Sequence, residues 1–174
     1  MKGLEKARRH AVVQTALGEL TMVADGPALV GIYFPNHWHL PPESDYGIVG
    51  DSSDEVFAAA IIELNEYAAG ERREFDVPIA TSGDDFSERV WEMLREIPYG
   101  QTTTYGALAV RLGNRHLAQR VGQCVGHNPI SVIIPCHRVV GADGSLTGYA
   151  GGLGNKRRLL EIEEPPEVAE SRLF

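Results

Sequence analysis

The side chain best placed to do chemistry is Cys136, which stands in the run Ile133-Ile134-Pro135-Cys136-His137-Arg138-Val139-Val140. A thiol attacks as its thiolate, and an adjacent imidazole and guanidinium both favour that form. The same apolar, β-branched flanks also suit a cysteine that is simply a small buried hydrophobe. Both readings stand on the local sequence alone. The other cysteine, Cys124, lies among Val121 and Val125 without comparable company, and is expected to be structural. Two cysteines are too few for a disulfide framework or a four-thiolate zinc site. His37-Trp38-His39 offers two imidazoles and nothing more that would hold a metal, so no metal or cofactor is expected. The Gly151-Gly152-Leu153-Gly154 run lacks the spacing of a phosphate-cradling loop and reads as a turn.

These groups must be positioned by a chain of 174 residues, 43% hydrophobic and 23% charged. That length and composition fit one domain, or two small ones sharing a core, and exclude long disorder and low-complexity architectures. The net charge of -8 argues against a polyanion partner only on average. Residues 101–160 hold seven basic side chains (Arg111, Arg115, Arg120, Arg138, Lys156, Arg157, Arg158) against Asp143, a local +6, while the remainder carries -14. Such segregation serves either a nucleic-acid face or ordinary solvated helices. The basic start, Met1 to Arg9, is followed by Gln14, Gly18 and Glu19, which interrupt any export segment. The longest apolar run, Val56 to Ile62, is far short of the ~20 residues that span a bilayer. A soluble, cytoplasmic protein is expected.

Ala11 to Leu17, Glu19 to Ala24 and Ala28 to Phe34 are rich in strand formers and separated by Gly18 and Asp25-Gly26-Pro27, predicting a β-meander. A proline-rich loop runs from Pro35 to about Ser52. Ser53 to Ala69 is helical, with Val56, Ala60, Leu64 and Tyr67 on one stripe, and Arg73 to Ile79 returns to strand character. Beyond a polar joint at 81–85, helices are expected at Phe86 to Ile97, Tyr105 to Leu112 and Leu117 to Val125. Thr103 or Thr104 caps the second of these, and Gly113-Asn114 closes it. The second and third have helix-turn-helix proportions, which simple packing units share. A β-like run at Ser131 to Ile134, a Gly-rich stretch at 141–154 and a helix from about Lys156 to Glu163 complete the chain.

The segment Asn128-Pro129-Ile130-Ser131-Val132-Ile133-Ile134-Pro135-Cys136-His137-Arg138-Val139-Val140-Gly141 resembles the active-site signature of the O6-alkylguanine-DNA alkyltransferases, the methylated-DNA--protein-cysteine methyltransferases. Upstream, Val90-Trp91, Ile97-Pro98-Tyr99-Gly100 and Thr104-Tyr105-Gly106 resemble landmarks of the same family. Downstream, Leu146-Thr147-Gly148-Tyr149-Ala150-Gly151-Gly152 and Lys156 through Glu163 do as well. The likeness is dense over residues 86–163 and looser before them.

The resemblance implies an α+β fold. A ribonuclease H-like antiparallel sheet with a helix (residues 1–83) would precede a winged-helix-like, helix-turn-helix DNA-binding and alkyl-transfer domain (residues 84–174). It implies a single-turnover transfer of the alkyl group from O6-alkylguanine in double-stranded DNA to Cys136, with O4-alkylthymine as a further substrate left open. His137 would take the thiol proton through a water, Glu163 would orient the histidine, and Asn128 would brace the active-site turn. Without the resemblance, Glu163 reads as one more solvated helix carboxylate beside Glu161 and Glu164. Tyr105 would help rotate the nucleotide out of the stack. Val139, Tyr149 and Ala150 would line the pocket, and Asn114, Gln119 and Arg120 would face DNA beside Tyr105. The family places an arginine where this chain has Gln119, with Arg120 next to it. Consecutive helical residues point ~100° apart, so either Gln119 fills the vacated stack or Arg120 serves elsewhere, for instance on a phosphate. A monomer is expected, with cooperativity on DNA left open. Two other functions compete: a cysteine hydrolase using Cys136, His137 and Glu163, and a damage sensor that binds alkylated DNA without repairing it.

Overall fold

The computed structural model describes residues 7–165. Three strands, β1 (Arg9–Thr15), β2 (Gly18–Asp25) and β3 (Ala28–Tyr33), form the expected antiparallel meander. The first turn uses Gly18 at φ 100°, a conformation open to glycine at little cost. A short β4 (Ile48–Val49), inside the proline-rich loop, adds to the far side of β1 in parallel, giving the order β3-β2-β1-β4. Alternation along β1 turns Ala11 and Val13 inward. With Leu20, Met22, Leu29 and Ile32 they meet Phe57, Ala60, Leu64 and Tyr67 of α1 (Glu55–Ala68). Phe57, rather than the expected Val56, heads the buried stripe. Asp54 caps α1 by accepting from Val56 N (2.9 Å) and pairs with the buried Arg9 of β1, fixing helix to sheet.

The strand expected at Arg73 to Ile79 is a correction. Only Ile79 bridges to Leu29, flanked by Leu29 N–H to Pro78 O (2.8 Å) and Ala80 N–H to Leu29 O (3.0 Å). The backbone N–H groups of Asp76 and Val77 go instead to the Glu63 carboxylate of α1, and Pro78 has none to give.

The second half is built from α2 (Asp85–Arg95), α3 (Tyr105–Arg111) and α4 (Ala118–Gly126). Asp84 caps α2 at Ser87 N (2.7 Å), and Thr104 caps α3 at Ala107 N (3.0 Å). Between α3 and α4, Gly113 at φ 105° ends one helix, and Asn114 caps a 3-10 turn at Arg115–Leu117 that leads into the next. Strand β5 (Thr103–Thr104) pairs in parallel with β6 (Val139–Val140). The last helix, α5 (Leu153–Glu163), starts earlier than expected, directly after Gly152 at φ 96°.

Ser131 to Ile134 is not a strand but a chain of turns. Asn128 closes it from both ends: its Nδ2 donates to Ile134 O (2.7 Å) and its Oδ1 accepts from Ile130 N (3.0 Å). Val132 there takes φ 72°, an unusual setting for a β-branched residue and of the kind that clusters at functional sites. Ile130 bridges in parallel to Ile32, so β3 docks directly on the turn that precedes Cys136.

Candidate active site

Cys136 opens a single 3-10 turn, Cys136–Arg138, between the Asn128-stapled segment and β6. All three residues of that turn are buried, Cys136 at 4% exposure and His137 at 0%. Burial pushes the Cys136 thiol up, while the Asn128 amide, the Lys156 ammonium and the Tyr149 hydroxyl pull the other way. The resting group is therefore a thiol whose proton must be taken before attack.

The neighbouring histidine is arranged to take one. His137 Nε2 lies 2.6 Å from Glu163 Oε2. A carboxylate only accepts, so Nε2 carries the hydrogen and Nδ1 keeps its lone pair. Nδ1 is buried and has no hydrogen-bond partner in the protein. Burial outweighs the pull of Glu163 and keeps the imidazole below its ordinary value, hence neutral and able to accept a proton.

Glu163, at 2% exposure, is far from the solvated carboxylate that the sequence alone suggested. Arg138 donates to it through Nε (2.7 Å) and Nη2 (3.0 Å), and Tyr67 Oη from α1 donates at 2.5 Å. Burial acts to raise the Glu163 carboxyl, but the bonds from His137, Arg138 and Tyr67 hold it down at about 2. The Arg138 guanidinium also donates through Nη1 to Ile97 O (2.7 Å), anchoring the cluster to the end of α2.

Lys156, Leu159 and Glu163 form one buried stripe of α5 at helical spacing. Lys156 is fully buried and donates through Nζ to Thr147 O (3.1 Å). Burial lowers its pKa, and the Cys136 thiol opposes that shift. Sequence reasoning quoted Lys156 but gave it no role, and it missed Arg138 and Tyr67 as partners of Glu163. The available signal was the stripe itself, since a Lys and a Glu seven residues apart on the apolar face of a helix must each find a partner.

On the outer side of Tyr149, whose hydroxyl is buried beside Cys136, lies an open cavity of about 710 Å³. Its walls include Tyr105, Gln119, Tyr149 and Ala150. Tyr105 Oη accepts from Thr147 Oγ1 (3.0 Å), joining α3 to the loop that carries Tyr149. The hydroxyls of Tyr149 and Ser131 are both buried, that of Tyr149 beside the Ser131 hydroxyl and the Cys136 thiol. Val139 lies outside this cavity, at 0% exposure in β6. Asn114 is exposed, and its carboxamide oxygen caps the turn before α4 at His116 N (2.9 Å). Gln119 and Arg120 part company: Gln119 faces the cavity, whereas the Arg120 guanidinium sits 3.8 Å from the ring centre of Phe86 on α2. Trp38 and His39, weighed in the sequence only as metal ligands, line the cavity mouth. Among the described residues no cluster of His, Cys, Asp and Glu could hold a metal, and no helix is long and apolar enough to cross a membrane.

Known proteins share this plan. Residues 9–81 match the family model for the 6-O-methylguanine DNA methyltransferase ribonuclease-like domain, and residues 85–165 match that for its DNA binding domain. The methylated-DNA--protein-cysteine methyltransferase of Mycobacterium tuberculosis is 40% identical over 171 residues, 95% of this chain and 98% of that one. The crystal structure of Mycobacterium tuberculosis OGT in complex with DNA superposes with a TM-score of 0.80 at 41% identity, over 89% of this chain and 92% of that one. An O6-methylguanine DNA methyltransferase from Methanococcus jannaschii, 29% identical over 87% of this chain and 92% of that one, gives 0.63. Two matched segments spanning the fold, and relatives alike over nearly their whole length, make this chain a member of the methylated-DNA--protein-cysteine methyltransferase family.

Proposed function

We infer that the chain repairs O6-alkylguanine in double-stranded DNA by moving the alkyl group to Cys136 in one turnover. The observation that carries this reading is a buried Cys136 followed directly by a buried His137, whose Nε2 is held by Glu163 while its Nδ1 lone pair is left unused. The thiol proton passes to His137 Nδ1 through a bridging water. The sulfur then attacks the alkyl carbon, a C–S bond forms, and the C–O6 bond breaks with its electron pair going to the purine. Guanine regains a proton at N1, which balances the one taken from the thiol. Lys156 steadies the developing thiolate, and the Tyr149 hydroxyl, buried beside Cys136, pairs with the polar edge of the base.

A base inside a duplex must leave the stack to reach so buried a thiol. Tyr105 stands at the entry, and Gln119, facing the cavity, is the residue that fills the gap left by the base; Arg120, packed on Phe86, is not. Exposed arginines of the basic stretch at residues 101–160, such as Arg115 and Arg120, supply the charge that draws DNA to this face, Arg138 and Lys156 being buried. The boundary between the two domains falls at the polar joint near residues 83–84. Two free, buried cysteines suit a reducing, cytoplasmic compartment.

Intact mass spectrometry after incubation with duplex DNA containing O6-methylguanine tests the proposal. One methyl group per chain, mapped to the Cys136 peptide, is expected, with the reaction stopping at one equivalent. Continued turnover would point to a hydrolase, because a thioester yields to water and a thioether does not. Tight binding without a gain in mass would point to a damage sensor.

A further inference from the structure

The N-terminal half contributes more to the cavity than a platform. Residues 35–40 leave the end of β3 and cross to the mouth of the alkyl pocket, where Trp38 N–H donates to Ala150 O (2.8 Å). His37 roots this strap: it is buried, lies edge-on to Tyr33 at 5.3 Å, and burial pushes its imidazole down to about 4, so that it packs as a neutral ring. His39 stacks on His127, at the end of α4, with ring centres 4.0 Å apart. Asn36 and His39 both hold left-handed backbone conformations, at φ 59° and 60°, a cost that persists only where surrounding contacts impose it.

This fixed strap delivers one large side chain and leaves it uncovered. The Trp38 indole is 60% exposed and lines the same cavity as Tyr149 and Ala150. Its ring lies so near Gly148 that a Cβ there would stand 3.8 Å from it. This open cavity of about 710 Å³ is far larger than a methyl group needs. Ala150, whose carbonyl holds the strap, adds only a small side chain to the cavity wall.

We propose that Trp38 is a specificity-determining residue: its indole is the outer wall of the alkyl pocket and packs against the ring of arylmethyl O6 substituents such as benzyl, with the His39–His127 stack as the strut that holds it there. This rests on the alkyl-transfer reading given above.

The test places O6-benzylguanine and O6-methylguanine in the same duplex and compares their transfer rate constants, so that contacts with DNA and the folded fraction of protein cancel in the benzyl-to-methyl ratio. Trp38→Ala should lower that ratio about three- to tenfold, the range that an aromatic pair contributes. Trp38→Phe, which keeps a ring, should hold it within about twofold of the original. An unchanged or increased ratio in Trp38→Ala overturns the proposal, as does a loss in Trp38→Phe equal to that in Trp38→Ala. Failure of the unsubstituted chain to place any alkyl mass on Cys136 would sink the alkyl-transfer reading instead.

Discussion

Cys124 and Cys136 are both free, both buried and both flanked by valine or isoleucine, yet their surroundings suit them to opposite tasks. The Cys124 thiol meets only the Ser87 hydroxyl (3.5 Å) among the described residues, and the residue's carbonyl accepts from Trp91 Nε1 (2.8 Å), tying α4 to α2. Cys136 lies beside an amide, a phenol, an ammonium and the His137–Glu163 pair. Burial alone therefore does not tell a nucleophile from a packing residue. The difference lies in whether the buried space also holds groups that can move a proton and carry charge.

The sharpest break of this comparison is Cys136→Ser, which should abolish transfer while Cys124→Ser retains it, as read by intact mass and peptide mapping. Alkyl mass on Cys124 would reverse the two roles. Next comes Glu163→Gln. It leaves the Arg138 guanidinium buried without its counter-charge, a change that typically costs about 3–5 kcal/mol. At this chain length that lowers Tm by roughly 10 °C, and transfer should slow as well. Arg111→Ala, which breaks an exposed pair with Glu96, should cost under about 1 kcal/mol in the same assay.

Lys156→Met removes the cation nearest the thiol, so the Cys136 pKa should rise further. Transfer at neutral pH should then fall about tenfold per unit of rise, and the rising limb of the pH–rate profile should move to higher pH. A lower Tm with an unmoved profile would make Lys156 structural only. Tyr67→Phe removes one hydrogen bond to a charged acceptor, worth about 1.5–3 kcal/mol. With a folded pKa of about 2, below its unfolded value, Glu163 contributes stability that is present above the unfolded value and lost as pH falls through 2. Removing the Tyr67 hydroxyl lifts the folded value, so acid unfolding should begin at a higher pH. An acid limb that does not move would leave the phenol without a part in holding Glu163.

Much of this was legible in the residues. Strand alternation, the cap at Thr104 and the glycine stops are local events, and they place the meander and the helix pair to within a residue or two. The failures share one cause. Arg73 to Ile79 and Ser131 to Ile134 both have strand composition, but a distant carboxylate, Glu63, claims the backbone of the first, and the Asn128 amide folds the second. Such long-range or side-chain competition for backbone hydrogen bonds leaves no trace in periodicity. At the site, Cys136 and His137 are adjacent in sequence, and Asn128 lies eight residues before Cys136 in the same family-like segment. Tyr67 comes to Glu163 from 96 residues away, and Trp38 reaches its place by a loop whose path no pattern specifies.

The bridge between Ile32 and Ile130 also has a thermodynamic consequence. It joins β3, in the first family segment, to the Asn128-stapled turn in the middle of the second, and residues of both segments share one hydrophobic core. Loosening either half strips the other of backbone hydrogen bonds and apolar cover at once, so neither half has a reason to survive alone. Heating should thus give a single endotherm whose calorimetric and van't Hoff enthalpies agree, with reactivity at Cys136 disappearing at the same temperature as the meander.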